Sequence, residues 1–215
     1  MNGKSKTLGL GMLVAVAVAA IAAASASATY SGHFVSEAKT TTVIGTESTT
    51  HRAKFSVGGG TPVECEKVSY QGLIGAETVA GFTVTPKYET CKTEGSASHN
   101  VTIAMNECDY TFKSTSETHG TFEFLCRGKG PIKITHPNCT ITIPEKTQLS
   151  GVSYATTVEE GKHALTVNFT VKNIPAQYHT GVCTILGTNQ LAELKGSITL
   201  RGTDEAGKPV HITNT

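Results

Sequence analysis

Cys108, Tyr110 and Phe112 fall at alternate positions, and so do Phe122, Phe124 and Cys126. Successive side chains of a strand point to opposite faces, so each trio lines a single face. If the two segments pair antiparallel with facing numbers summing to 234, Phe112 meets Phe122, Tyr110 meets Phe124 and Cys108 meets Cys126. One register therefore aligns two aromatic pairs and a cross-strand disulfide. A slip of one residue would turn all six side chains to the wrong face. The polar stretch 114–119 is the loop between them.

The same alternation recurs along the chain. Leu165, Val167, Phe169 and Val171 alternate with Thr166, Asn168 and Thr170, and Phe82/Val84 and Ile198/Leu200 do likewise. Turn residues punctuate the sequence about every 8–12 positions, the spacing of short antiparallel strands. No segment after residue 30 has the i, i+3, i+4, i+7 apolar pattern of a helix. A second hairpin follows if numbers sum to 275, placing Ile132, Ile134 and His136 opposite Ile143, Ile141 and Cys139 across Pro137-Asn138. The expected fold is all-β: an antiparallel β-sandwich, as one disulfide-stapled unit or two closely joined sandwiches.

Two lysines near the start precede an uncharged run, Leu8 to Ala24, and then Ser25-Ala26-Ser27-Ala28. That is the pattern of an export signal, so residues 1–28 are expected to be removed, leaving no transmembrane anchor. No cysteine lies near the cleavage point, which argues against a lipid anchor. The six cysteines Cys65, Cys91, Cys108, Cys126, Cys139 and Cys183 all follow it, and an even count in an exported chain reads as disulfides. No two are spaced as zinc ligands. The sequential set Cys65–Cys91, Cys108–Cys126 and Cys139–Cys183 follows from the two registers and elimination. A Cys126–Cys139 bridge, which frees Cys108 for an earlier partner, stays open. Residues 29–50, rich in Ser and Thr, read as a loose N-terminal arm or edge strand. Residues 51–215 form the folded domain, with a possible sub-boundary near 114–119.

Composition narrows function mainly by exclusion. Lys and Arg number 18 against 17 Asp and Glu, so no basic surface for nucleic acid or an anionic membrane is expected. Gly151-Val152-Ser153-Tyr154-Ala155 approaches the nucleophile elbow of serine hydrolases, but Ala155 replaces its last glycine and no helix follows. Eight histidines (33, 51, 99, 119, 136, 163, 179 and 211) are scattered singly, and Asp109 and Asp204 are the only aspartates, so neither a metal nor a calcium site is expected. The glycines 58–60 lead into a strand, not a phosphate-binding helix N-terminus. Arg127, Lys129 and Lys133 form a small basic patch around Gly128 and Gly130 that reads first as a solubilising turn and second as a contact for an anionic wall polymer. Tryptophan is absent, which leaves six tyrosines as the only polar-tipped aromatic platforms.

Several segments together suggest a relationship. Met105-Asn106-x-Cys108-x-Tyr110, then Cys126, Gly128, Ile132 and Ile134, then Asn138-Cys139-Thr140-x-Thr142-Ile143-Pro144, and Gly202-x-Asp204-x-x-Gly207 occur in that order. This series resembles an uncharacterised family of predicted secreted, cysteine-containing β proteins of soil actinobacterial lineages, from about residue 55 onward. The resemblance implies a bacterial exported protein and carries no activity, cofactor or site.

The expectation is thus an exported, non-enzymatic protein, extracellular, at the cell surface or in the periplasm, with a structural, adhesive or binding role. A cell-wall glycan or another extracellular protein is the expected partner, and no cofactor is expected. One alternative is a secreted glycan hydrolase using Glu64 and Glu66, which flank Cys65 on one strand face. Another is an extracellular inhibitor presenting the 114–119 loop.

Overall fold

The computed structural model describes residues 32–95, 99–159, 161–181 and 187–215. These residues form strands and connections and contain no helix. In chain order the strands are β1 (Phe34–Ser36), β2 (Thr41–Glu47), β3 (Lys54–Gly59), β4 (Val63–Ile74), β5 (Thr78–Val79), β6 (Gly81–Thr93), β7 (Asn100–Ala104), β8 (Cys108–Ser114) and β9 (His119–Cys126). They continue as β10 (Ile132–His136), β11 (Cys139–Ile143), β12 (Lys146–Glu159), β13 (Lys162–Pro175), β14 (Gln177–Gly181), β15 (Gly187–Thr203), β16 (Pro209–Val210) and β17 (Ile212–Asn214).

All strand pairings are antiparallel, but the architecture is a closed barrel and not the expected sandwich. Eight strands run in the order β6-β8-β9-β12-β13-β15-β2-β4, and β4 pairs with β6 to close the ring. Alternation alone cannot tell the two apart, because a sheet packed on a second sheet and a sheet closed on itself both present one apolar face. Closure depends on which distant strands meet, here β15 with β2, from Ile198 opposite Glu47 to Thr203 opposite Thr42.

Both hairpin registers occur as read from the sequence. β8 and β9 pair with Cys108 opposite Cys126, Tyr110 opposite Phe124 and Phe112 opposite Phe122. β10 and β11 pair from Ile132 opposite Ile143 to His136 opposite Cys139. Disulfides join Cys65 to Cys91 and Cys108 to Cys126, each bridging facing strands. No described cysteine is free, and Cys183, the expected partner of Cys139, lies outside the described residues.

Two corrections concern the chain's organisation. Residues 29–50 were expected as a loose arm or an edge strand. Instead, β2 lies between β15 and β4, hydrogen-bonded on both sides, with Val43 fully buried. Few apolar residues suffice there, because Gly45 lets the backbone approach the Tyr70 and Leu200 side chains. The 114–119 stretch does not divide the chain, since β8 and β9 pair on either side of it up to Ser114 opposite Gly120.

Below one level the barrel changes its neighbours. β2 and β3 occupy the same slot between β4 and β15, end to end. At its far end β6 pairs with β7 in place of β8, and the sheet continues through β10, β11 and β14. The inward faces of β4 and β6 shift by one residue at that level. In β4 the outward pair Glu66 and Lys67 separates buried Cys65 from buried Val68. In β6, Glu89 and Thr90 precede buried Cys91, and Thr90 has φ of 53°. A single core passes through barrel and extension, from Phe112 and Phe122 to Ile134 and Ile141. The small sheet β17-β1-β5 packs on it through Phe34, whose ring meets Phe82 and Tyr154 edge-on at 4.7 and 5.0 Å.

Candidate functional site

The site begins with the break between β2 and β3. β2 ends at Glu47, β3 starts at Lys54, and residues 48–53 must bulge outward so that both strands can pair with the same neighbours. The bulge is held at several points. Ser48 donates its N–H to the Ser197 carbonyl at 2.8 Å, and Ser197 donates its own to the His51 carbonyl at 3.0 Å. The Ser48 hydroxyl oxygen accepts from the N–H groups of Thr50 and His51. Glu47 accepts from Ala53 N–H at 3.1 Å. The loop thus stands as a fixed wall above the outer face of β15.

The opposite wall comes from β12, which bulges against β9 between Lys146 and Val152, with Gln148 and Gly151 at positive φ. A side chain at residue 151 could not be accommodated, because its Cβ would lie 2.2 Å from the Thr170 carbonyl oxygen. Between the walls is an open groove of about 430 Å³. Along its floor Ser153, Asn168 and Ser197 form one cross-strand row, and Thr170 and Lys195 face one another in the next. Arg52 and Lys54 border it, and among the described residues no aspartate or glutamate lines it. Ser153, Asn168, Thr170 and Lys195 make no side-chain hydrogen bond or ion pair among the described residues, so their polar groups are open to a ligand.

The expected glutamate pair lies next door. Glu64 and Glu66 share a depression of about 330 Å³ that also includes Arg52. Each is already engaged: Glu64 with Arg52 at 3.1 Å and Lys54 at 3.2 Å, Glu66 with Lys92 at 3.0 Å. Partial burial pushes the Glu64 carboxyl up, but contact with Glu94, Lys54 and Arg52 outweighs it and holds the group below the ordinary range. A general acid needs the opposite shift. This arrangement suits an ion-pair cluster better than bond cleavage.

Other residues that the sequence singled out are spread over the fold. Ser153 lies within β12, a continuous strand with no elbow. Its cross-strand neighbour is His119, whose Nδ1 contacts the Thr118 hydroxyl and no carboxylate. Arg127 pairs with buried Asp109 at 2.8 Å and Lys129 with Glu107, which neutralises most of the basic patch. The histidines are less scattered in space than in sequence. His99 and His136 meet edge-on at 5.1 Å, and His163 and His211 at 4.5 Å. Burial and the neighbouring His99 push the His136 pKa down. No cluster of three potential metal ligands occurs among the described residues. Tyr70, Tyr110 and Tyr154 are buried, and Tyr88 and Tyr178 pack against the core. Tyr30 lies outside the described residues. The 114–119 loop is tied to the C-terminal strand, Asn214 Nδ2 donating to the Ser116 and Glu117 carbonyls at 2.8 Å each.

Sequence reading missed the groove because its residues come from four distant segments and form no local motif. Comparison with family models, curated proteins and solved structures finds no match.

Proposed function

We propose that this chain is an exported, non-catalytic binding protein acting outside the cell membrane, in an adhesive or structural setting. The observation that carries the reading is the groove: a pre-formed concavity in which the side chains of Ser153, Asn168, Thr170 and Lys195 have no partner among the described residues, mounted on a rigid scaffold. Pre-organisation of this kind lowers the ordering cost of binding. Two cross-strand disulfides support an oxidising compartment. The signal-like residues 1–28 and the resemblance to secreted actinobacterial β proteins point the same way. No helix among the described residues is long and apolar enough to cross a membrane. On β4 the outward residues Glu64, Glu66, Lys67, Ser69 and Gln71, with Leu73 as the one exposed apolar side chain, present a mainly polar wall suited to water, where a lipid-facing strand would be apolar throughout.

The test is a pull-down of purified, oxidised residues 29–215 on intact cell walls and a panel of insoluble polysaccharides. Saturable retention that a soluble glycan competes away is the expected result. No retention on any of these surfaces would sink the reading. Turnover of labelled wall polysaccharide, lost in Glu64→Gln or Glu66→Gln, would replace it with the hydrolase.

A further inference from the structure

We infer that the groove between the 48–53 loop and the β12 bulge binds an acidic polysaccharide, with Lys195 holding its anionic group and Ser153, Asn168 and Thr170 its hydroxyls. The inference rests on the binding-protein reading and specifies its ligand class.

Charge is the first argument. Arg52, Lys54 and Lys195 line the groove, and among the described residues no carboxylate does. Lys195 and Lys54 are direct partners across the β15–β3 pair. Like charges at such positions repel, at a cost of some tenths of a kcal/mol. The conflict is only half resolved. Lys54 turns to Glu64 and Glu94, outside the groove. Lys195 has no acidic partner among the described residues, so an anion bound in the groove would supply the missing counter-charge.

The floor is the second argument. Ser153, Asn168 and Ser197 occupy neighbouring strands, about 4.8 Å apart, and the Thr170–Lys195 row lies two residues away, about 7 Å along the strands. Short hydroxyls and an amide on such a grid can donate to and accept from several hydroxyls of one chain. Of the groove's two rings Phe169 is buried and His51 is a small imidazole, so no exposed phenyl, phenol or indole ring offers a stacking platform. Affinity must then come from charge-assisted hydrogen bonds, which favour an acidic glycan over a neutral one.

The experiment measures binding of the purified, oxidised protein to three soluble chains: polygalacturonate carrying carboxylates, a phosphomannan carrying phosphates, and neutral dextran. The expected result is saturable binding to one or both acidic chains, weakening as salt is raised, and none to dextran. Comparing the two acidic chains identifies the anion. Lys195→Ala should lower affinity about tenfold or more, and Lys195→Glu further, while Lys195→Arg retains most of it. Asn168→Ala should weaken binding several-fold. Lys87→Ala, at a lysine paired with Glu89 outside the groove, should change nothing. These positions are exposed, and unchanged thermal unfolding checks that each variant is folded. Equal binding to dextran, or wild-type affinity in Lys195→Glu, would overturn the acidic-glycan assignment and leave a binding protein of another specificity. Failure to bind all three chains would overturn it too, whereas the binding reading itself falls only if cell walls and the wider panel also fail to retain the protein.

Discussion

The carboxylate of Glu47 accepts the backbone N–H of Val68, 21 residues further along the chain, at 3.1 Å. Its other oxygen accepts from Ala53 N–H at the same distance. The side chain stands where a strand would have been, in the gap between β2 and β3 along β4. Glu47→Ala leaves two main-chain donors without their acceptor and is expected to cost about 1–3 kcal/mol in urea denaturation. Faster amide exchange at Val68 would accompany it. An unchanged midpoint would mean that water substitutes fully for the carboxylate.

Glu47 and Glu64 should give opposite pH dependences. Burial raises the Glu47 pKa, with Glu64 adding to the rise, although its backbone hydrogen bonds and Arg52 pull the other way. Its contribution to stability is therefore present below the ordinary value of 4.5 and is lost as pH rises through the raised value. Glu64 is lowered, so its contribution is present above 4.5 and is lost as pH falls through the lowered value. Stability measured against pH should fall more gently on the acid side in Glu64→Gln and more steeply in Glu47→Gln. Parallel curves for the two variants would contradict this assignment.

Tyr88 and Tyr110 join their hydroxyls inside the core. Burial pushes both phenols well above their usual range, so each hydroxyl stays protonated. Tyr110→Phe or Tyr88→Phe alone strands the partner and should cost about 1–3 kcal/mol, while the double variant recovers much of that loss. Tyr70 differs, because its buried hydroxyl has no partner among the described residues. Tyr70→Phe is expected to be neutral or stabilising in thermal unfolding. Strictly additive losses at Tyr88 and Tyr110 would argue against a coupled pair.

Gly120 has no room for a side chain. A Cβ there would lie 2.0 Å from the Lys113 carbonyl oxygen and 2.5 Å from the Tyr154 ring. Gly120→Ala should destabilise by about 1–3 kcal/mol, because the conflict is with backbone and with a buried ring. Gly75, around which nothing lies within 4 Å, provides the contrast, and Gly75→Ala should stay within about 0.5 kcal/mol. Equal effects at the two sites would show that space does not decide the outcome.

Local pairing was legible in the sequence because neighbouring strands share a short loop and a periodicity of two. The Cys108–Cys126 register could therefore be derived from six residues. Ring closure could not. It joins Glu47 to Ile198, and nothing in either segment names the other. The groove was hidden for the same reason: Arg52, Ser153, Asn168 and Lys195 acquire meaning only when three strands and the 48–53 loop are set side by side. The near-match to the hydrolase elbow, which the sequence already discounts for want of a last glycine and a following helix, has a different cause. Gly151 earns its place by a positive φ in a strand bulge rather than by turning a chain into a helix.

The seam between β2 and β15 fixes an order of events during folding. β2 spans Thr41–Glu47 and β15 Gly187–Thr203, so the ring cannot close until the chain has been synthesised through β15. Until then β2 waits with one backbone edge unpaired, open to pairing with another chain. Hairpins such as β8–β9 can form early, but the final step has to bring together two strands far apart in sequence, which slows folding in proteins dominated by distant contacts. A truncation that removes β15 would therefore leave a long, sticky, open sheet in place of a smaller barrel.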